Sequence, residues 1–225
     1  MRPLELARKI DLAALSPTTT RKEAETLAVR ARSHAFATLC VPPCLVSSVS
    51  RLLDGYPTGV STVIGFPLGY EMTEVKVTAA RRAVDDGAVE VDMVMNQCAF
   101  HGGEFAFVQD DISAVVEALP GTPVKVIIEC CYLDEGQKVV AAEIVVRAGA
   151  EYVKTSTGFG PGGASEEDVR LLSGVLGGRA GIKAAGGIKT LGQALAMIGA
   201  GAARVGTSSG MEIVEAMESG DGKGA

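Results

Sequence analysis

Two lysines carry the first chemical signal in this sequence. Lys154 stands in Tyr152-Val-Lys-Thr-Ser-Thr-Gly-Phe-Gly-Pro-Gly-Gly163, a short β-type run emptying into glycines, and Lys183 stands in Gly181-Ile-Lys-Ala-Ala-Gly-Gly187. Such a strand is buried on both faces and opens into a ligand-facing loop, which makes it a poor place for a solvated charge. If the two lysines end neighbouring strands, about 4.8 Å apart, their ammonium groups come within about 6 Å of each other. At an effective dielectric near 20 the repulsion is roughly 2–3 kcal/mol, or about two pKa units, and desolvation acts in the same direction. One lysine is then neutral often enough near pH 7 to attack a carbonyl, while the other remains the cation that makes this so.

Asp92, in Val89-Glu-Val-Asp-Met-Val-Met95, supplies the carboxylate that a Schiff-base route needs to accept and return protons, directly or through water. The competing reading is an ion-pair network in which Asp92 only neutralises two buried lysines. Asp11 ends the first predicted strand and Asn96 follows the fourth. Small residues then gather where a phosphate could be held by backbone N–H groups and hydroxyls: Thr157 and Gly158, Gly186 and Gly187, and Gly206, Ser208 and Ser209. Tight strand-to-helix packing is the alternative for these glycines. Gly158, Gly160 and Gly163 also satisfy G-x-G-x-x-G, but the region about twenty residues on holds Lys183 and no carboxylate for a ribose, so a dinucleotide site is not expected.

These residues need a frame that presents them together. Short β-branched runs alternate with amphipathic segments nearly to the end of the chain, the pattern of a parallel α/β sheet. The runs are Lys9 to Leu12, Ala37 to Val41, Ser61 to Phe66, Val89 to Asn96, Val124 to Cys130, Tyr152 to Ser156, Gly181 to Ala185 and Ala203 to Thr207. Thr20-Arg-Lys-Glu23 reads as a capping box opening a helix through about Ala35. Thr73 to Asp86 shows an apolar face of Val75, Val77, Ala79, Ala80, Ala83 and Val84 stopped by Gly87. Eight strands with intervening helices predict one (β/α)8 TIM barrel over residues 1–225, with an extra leading helix and a short flexible tail from Ser219. In such a barrel Asp11, Lys154 and Lys183 end strands one, six and seven, at the carboxyl face.

A chain of 225 residues fits that frame. A net charge of −6 argues against a general nucleic-acid surface. Without a long apolar run or a secretory signal, no membrane association is expected and the cytoplasm is the expected location. The five cysteines form no C-x-x-C pair and only His34 and His101 could join them, so no metal site is expected. Cys40, near a strand end, is the candidate reactive thiol.

From about Ile10 to Gly210 the chain resembles the deoxyribose-phosphate aldolases, class I aldolases. The resemblance is carried by the Tyr152–Gly163 stretch, Gly181-Ile-Lys-Ala-Ala-Gly-Gly-Ile-Lys-Thr190, Glu90-Val-Asp-Met-Val, Gly206-Thr-Ser-Ser-Gly, Thr62-Val-Ile-Gly-Phe-Pro-Leu-Gly and Val124-Lys-Val-Ile-Ile-Glu. It implies reversible cleavage of 2-deoxy-D-ribose 5-phosphate to acetaldehyde and D-glyceraldehyde 3-phosphate, in deoxyribonucleotide and deoxynucleoside catabolism, without metal or other cofactor, by a homodimer or homotetramer. It further implies Lys154 as the Schiff-base lysine, Lys183 as the group that lowers its pKa, Asp92 as the relay carboxylate, and Gly158, Gly186, Gly187, Gly206, Ser208 and Ser209 as phosphate-binding positions.

The segment Ile10-Asp-Leu-Ala-Ala-Leu15 lacks the threonine that commonly follows Asp11 in the family, so Asp11 is expected only in a supporting role. The chain also ends Lys223-Gly-Ala225, where some relatives end in a tyrosine; lower turnover is expected. The alternatives are another Schiff-base barrel acting on a different phosphosugar, or a barrel that binds a phosphosugar without turnover.

Overall fold

The computed structural model describes residues 1–220. Helix α1 (Pro3–Ala7) precedes β1 (Ile10–Ala13), and the chain then repeats one unit. It runs α2 (Arg21–Ala31), β2 (Thr38–Val41), α3 (Val46–Leu53), β3 (Gly59–Ile64), α4 (Thr73–Asp85), β4 (Glu90–Val94), α5 (Gln97–His101), α6 (Phe105–Ala118), β5 (Val124–Ile127) and α7 (Glu135–Arg147). It closes with β6 (Tyr152–Lys154), α8 (Glu166–Leu176), β7 (Gly181–Ala185), α9 (Leu191–Ala200), β8 (Arg204–Thr207) and α10 (Gly210–Ser219). The eight strands form a closed parallel barrel in sequence order, the expected TIM-barrel topology. Of the expected tail, Ser219 closes α10 and residues 221–225 lie outside the described residues.

Alternation along the strands separates two environments. Ile10, Leu12, Leu39, Val91, Met93, Val124, Val126, Val153, Ile182 and Val205 belong to the apolar core shared with the helices. The residues between them include Asp11, Thr38, Ser61, Asp92, Lys125, Lys154 and Lys183, all buried. Branched aliphatic side chains fill most such barrels; here charges and hydroxyls take much of the interior, as in the 2.7 Å hydrogen bond between the Thr38 and Ser61 hydroxyls.

Register places the lysines. Lys154 pairs with Lys183, Lys183 with Arg204, and Asp92 with Lys125. Lys154 ends β6 as expected, but Lys183 is the middle residue of β7, because the ladder continues to Ala185 opposite Gly206. Asp11 is likewise second of four residues in β1, since pairing continues to Ala13 opposite Cys40.

Two helices differ from their sequence pattern. The Thr20–Glu23 capping box forms, yet α2 stops at Ala31 rather than Ala35, because Ala35 takes a left-handed φ of 49° as the chain turns towards β2. In α4 the buried stripe is Lys76, Ala80 and Ala83, whereas Val75, counted in the apolar face, is 44% exposed. Among the described residues no helix is long and apolar enough to cross a membrane.

Candidate active site

Asp92 stands at the centre of the barrel, fully buried. Its Oδ2 accepts hydrogen bonds from Lys154 Nζ at 2.8 Å and Lys183 Nζ at 2.6 Å. Its Oδ1 accepts one from Lys125 Nζ at 3.0 Å. Lys183 Nζ lies 2.6 Å from Asp11 Oδ2, as an ion-pair contact rather than a well-directed hydrogen bond. Asp11 also accepts from Arg204 at 2.8 Å, and Glu90 bridges Arg204 at 3.0 Å and Lys125 at 2.7 Å. Both readings of Asp92 thus find their geometry here: it touches both predicted lysines, and it belongs to an ion-pair network.

The two lysines experience opposite fields. For Lys154, burial is the largest influence and, with the Lys183 charge, it outweighs Asp92 and holds the amine below the usual lysine range. Burial disfavours the charged form of Lys183 too, but Asp11 and Asp92 overcome it and its pKa is raised. Burial alone would raise Asp92; Lys125, Lys154 and Lys183 together hold it well below the carboxylate range. Mutual lysine repulsion therefore has the direction read from the sequence, and desolvation is the stronger cause.

Lys154 and Lys183 line a cavity of about 470 Å³ at the carboxyl ends of the strands, with Asp11, Cys40, Thr157, Gly158, Gly186, Gly187, Gly206 and Ser208. Asp92 does not reach its wall and stands behind the two ammonium groups. Ser209 also lies off the wall, its N–H committed to Thr207 Oγ1 at 2.9 Å. Asn96 caps α5, accepting from Ala99 N–H at 3.1 Å. Burial, then the Asp92 charge, push the Cys40 thiol up, which leaves little of the thiolate that would make it nucleophilic.

Around the cavity mouth the backbone N–H groups of Gly158, Gly186, Gly187 and Ser208 have no acceptor among the described residues. Lys189 also lines this end. Unpaired N–H groups beside an ammonium are suited to an anion. Close packing operates one step away: a Cβ on Gly163 would meet Gly186 O at 2.3 Å, and Ala164 N–H donates to that same oxygen at 3.0 Å. Thr157 is committed elsewhere, since both its N–H and its hydroxyl donate to Glu129. Its part is to shape the loop.

Sequence reasoning did not single out Lys125, Glu90, Arg204, Glu129 or Lys189. Lys125 carried the same signal as Lys154, a lysine inside a β-branched run. Glu129 shows itself only in three dimensions, as one of two non-glycine residues with positive φ among those described, with its carboxylate under the β6 loop.

Comparison with known proteins agrees with this geometry. The DeoC/LacD family aldolase profile matches residues 8–216. The deoxyribose-phosphate aldolase of Aciduliprofundum boonei is 47% identical over 216 residues, covering 95% of this chain and 97% of its own. That of Thermococcus gammatolerans is 49% identical over 216 residues, covering 94% and 96%. Among solved structures, the tetrameric deoxyribose phosphate aldolase of Aeropyrum pernix superposes with a TM-score of 0.90 at 33% identity, covering 96% of this chain and 92% of its own. With the match running through the barrel and the strands that carry Lys125, Lys154 and Lys183, the chain belongs to the DeoC/LacD family of aldolases.

Proposed function

We propose that this chain reversibly cleaves 2-deoxy-D-ribose 5-phosphate to acetaldehyde and D-glyceraldehyde 3-phosphate through a Schiff base on Lys154. One observation carries the assignment of the nucleophile: Lys154 and Lys183 share Asp92 Oδ2 at the wall of the cavity, yet only Lys154 is held below the ordinary lysine range. An amine held below its ordinary range beside a fixed ammonium, on one carboxylate oxygen, supports this reading.

In the cleavage direction Lys154 Nζ adds to the C1 aldehyde of the open-chain sugar, and loss of water gives an iminium ion. The C3 hydroxyl gives up its proton, the C2–C3 bond breaks, and its electron pair moves into the iminium to leave an enamine. D-Glyceraldehyde 3-phosphate departs. Protonation at C2 and hydrolysis release acetaldehyde and the free amine. Because Asp92 lies behind the lysines, protons reach it through Lys183 Nζ or a water rather than by direct contact with substrate. The free N–H groups of Gly158, Gly186, Gly187 and Ser208, with Lys189, hold the 5-phosphate, and Asp11 supports the site by keeping Lys183 charged. This reaction belongs to deoxyribonucleotide breakdown in the cytoplasm. A homodimer or homotetramer is the proposed assembly, supported by the tetrameric relative.

A substrate panel tests the assignment. Cleavage of 2-deoxy-D-ribose 5-phosphate is expected to exceed that of unphosphorylated 2-deoxyribose and of other phosphosugars by at least about 100-fold in kcat/KM, the worth of a few charge-assisted hydrogen bonds. A preference for another phosphosugar or a keto acid would assign a different aldolase, and binding without turnover would reduce the chain to a binding barrel.

A further inference from the structure

Four cations and three carboxylates meet inside the barrel, and they are not equally connected. Lys125 touches Asp92, Glu90 and, at 3.8 Å, Asp11. Lys183 touches Asp92 and Asp11, and Arg204 touches Asp11 and Glu90. Among the described residues Lys154 touches Asp92 alone. Three carboxylates can match three cations, and a buried cluster is destabilised most by the charge left unmatched. Connectivity decides which charge that is, because losing the proton from Lys154 breaks one contact and from either other lysine breaks at least two.

We propose that Arg204 and Glu90 are positioning residues that set the charge count of this cluster and so keep Lys154 the neutral, nucleophilic amine. The proposal rests on the reading of Lys154 as the Schiff-base lysine. Both residues begin their strands, at the end of the barrel opposite the cavity, and neither lines it. They act through others: Arg204 holds Asp11 and Glu90, and Glu90 holds Lys125, whose ammonium in turn occupies Asp92 Oδ1. Asp92 from β4, Lys183 from β7 and the Cys40 thiol from β2 face Lys154, and Lys125 from β5 and Asp11 from β1 stand one contact further on, against Asp92 and Lys183. Arg204 enters from β8, two strands away by register, or about 10 Å.

The sign of each perturbation follows from the count. Removing Arg204 leaves three carboxylates with three lysines, so Lys154 is needed as a cation and keeps its proton to higher pH. Removing the Glu90 charge increases the cationic excess, so Lys154 loses its proton at lower pH. At about 10 Å and an effective dielectric near 20, each change is expected to move the midpoint by about one pH unit.

The experiment is the initial rate of borohydride-trapped acetaldehyde on Lys154, followed by peptide mass against pH. The expected midpoints are higher for Arg204→Met, lower for Glu90→Gln, near wild type for the double variant, and unshifted for Arg204→Lys, which restores the charge. Arg204 also lies over the Tyr152 ring, 5.8 Å from its centroid, so Arg204→Met removes packing as well; the nearly isosteric Glu90→Gln tests the sign by itself if that variant does not fold. Midpoints that stay at the wild-type value, or shift the same way in both single variants, overturn the proposal. Absence of any adduct on Lys154 in the wild type at every pH overturns the Schiff-base reading beneath it instead.

Discussion

Buried aspartates bind lysine on both sides of the sheet, and the sites around Asp111 and Asp92 are built differently. Between α4 and α6, Lys76 Nζ lies 2.6 Å from Asp111 Oδ2, and both side chains are fully buried. The Lys76 ammonium also donates to Val94 O at 3.2 Å, and the Thr73 hydroxyl donates to Asp111 Oδ1 at 2.8 Å. One cation meets one anion, neutral groups take up remaining capacity, and neither residue lines a described cavity. Inside the barrel Asp92 holds three lysines, two of which face an open cavity. Burial of a lysine beside an aspartate is common to both sites; on the proposed reading it is the excess of cations over carboxylates, next to space for a substrate, that makes Lys154 reactive.

The contrast is broken most severely at Lys154. Lys154→Ala is expected to lower kcat/KM on the order of 10⁴-fold or more, about 5 kcal/mol in activation barrier, in a steady-state cleavage assay, with the fold retained by circular dichroism. Lys76→Met should do the reverse. Leaving Asp111 buried without its cation is expected to cost about 3–5 kcal/mol of stability in urea unfolding, while kcat/KM of the folded fraction stays near wild type. Adding Asp111→Leu should recover much of that loss; a double variant as unstable as the single would show that Lys76 is not acting through Asp111.

A smaller effect sharpens the role of the open wall. A Cβ at Gly206 would stand 3.1 Å from Lys183 Cε and 3.0 Å from Ala185 Cβ, so Gly206→Ala is expected to displace the Lys183 ammonium. A loss of about tenfold in kcat/KM, with about 1 kcal/mol of stability, is the expected result. Unchanged kinetics would mean that the site tolerates movement of Lys183. The smallest effect belongs to an exposed pair: Arg170 and Glu166 meet at 2.5 Å on α8, and Arg170→Ala should change unfolding free energy by no more than about 0.5 kcal/mol and activity not at all.

Much of this contrast could be read from residue order. Glycine, proline or another loop signal after the β-branched runs marked the strands closely enough to count eight, and a parallel barrel in sequence order then made the Lys154 and Lys183 strands neighbours. Position within a strand was harder: the run Gly181 to Ala185 matches β7, yet Lys183, expected at its end, is its middle residue. Asking which polar residues end strands favoured the carboxyl face and passed over Arg204 and Glu90, which begin theirs. Contacts across the interior, such as Asp11 with Lys125 from the far side of the barrel, depend on barrel closure and are invisible along the chain. Lys76 escaped for another reason: periodicity counted Val75 and Val77, while a long lysine stem can fill an apolar face and deliver its charge beyond it.

Borohydride trapping with acetaldehyde, followed by peptide mass mapping of the wild type and Lys154→Ala, tests the central claim most directly. The expected result is a reduced two-carbon adduct on Lys154, absent from the variant. No adduct on Lys154, or an equal one on Lys183 in both proteins, would contradict the assignment of the nucleophile.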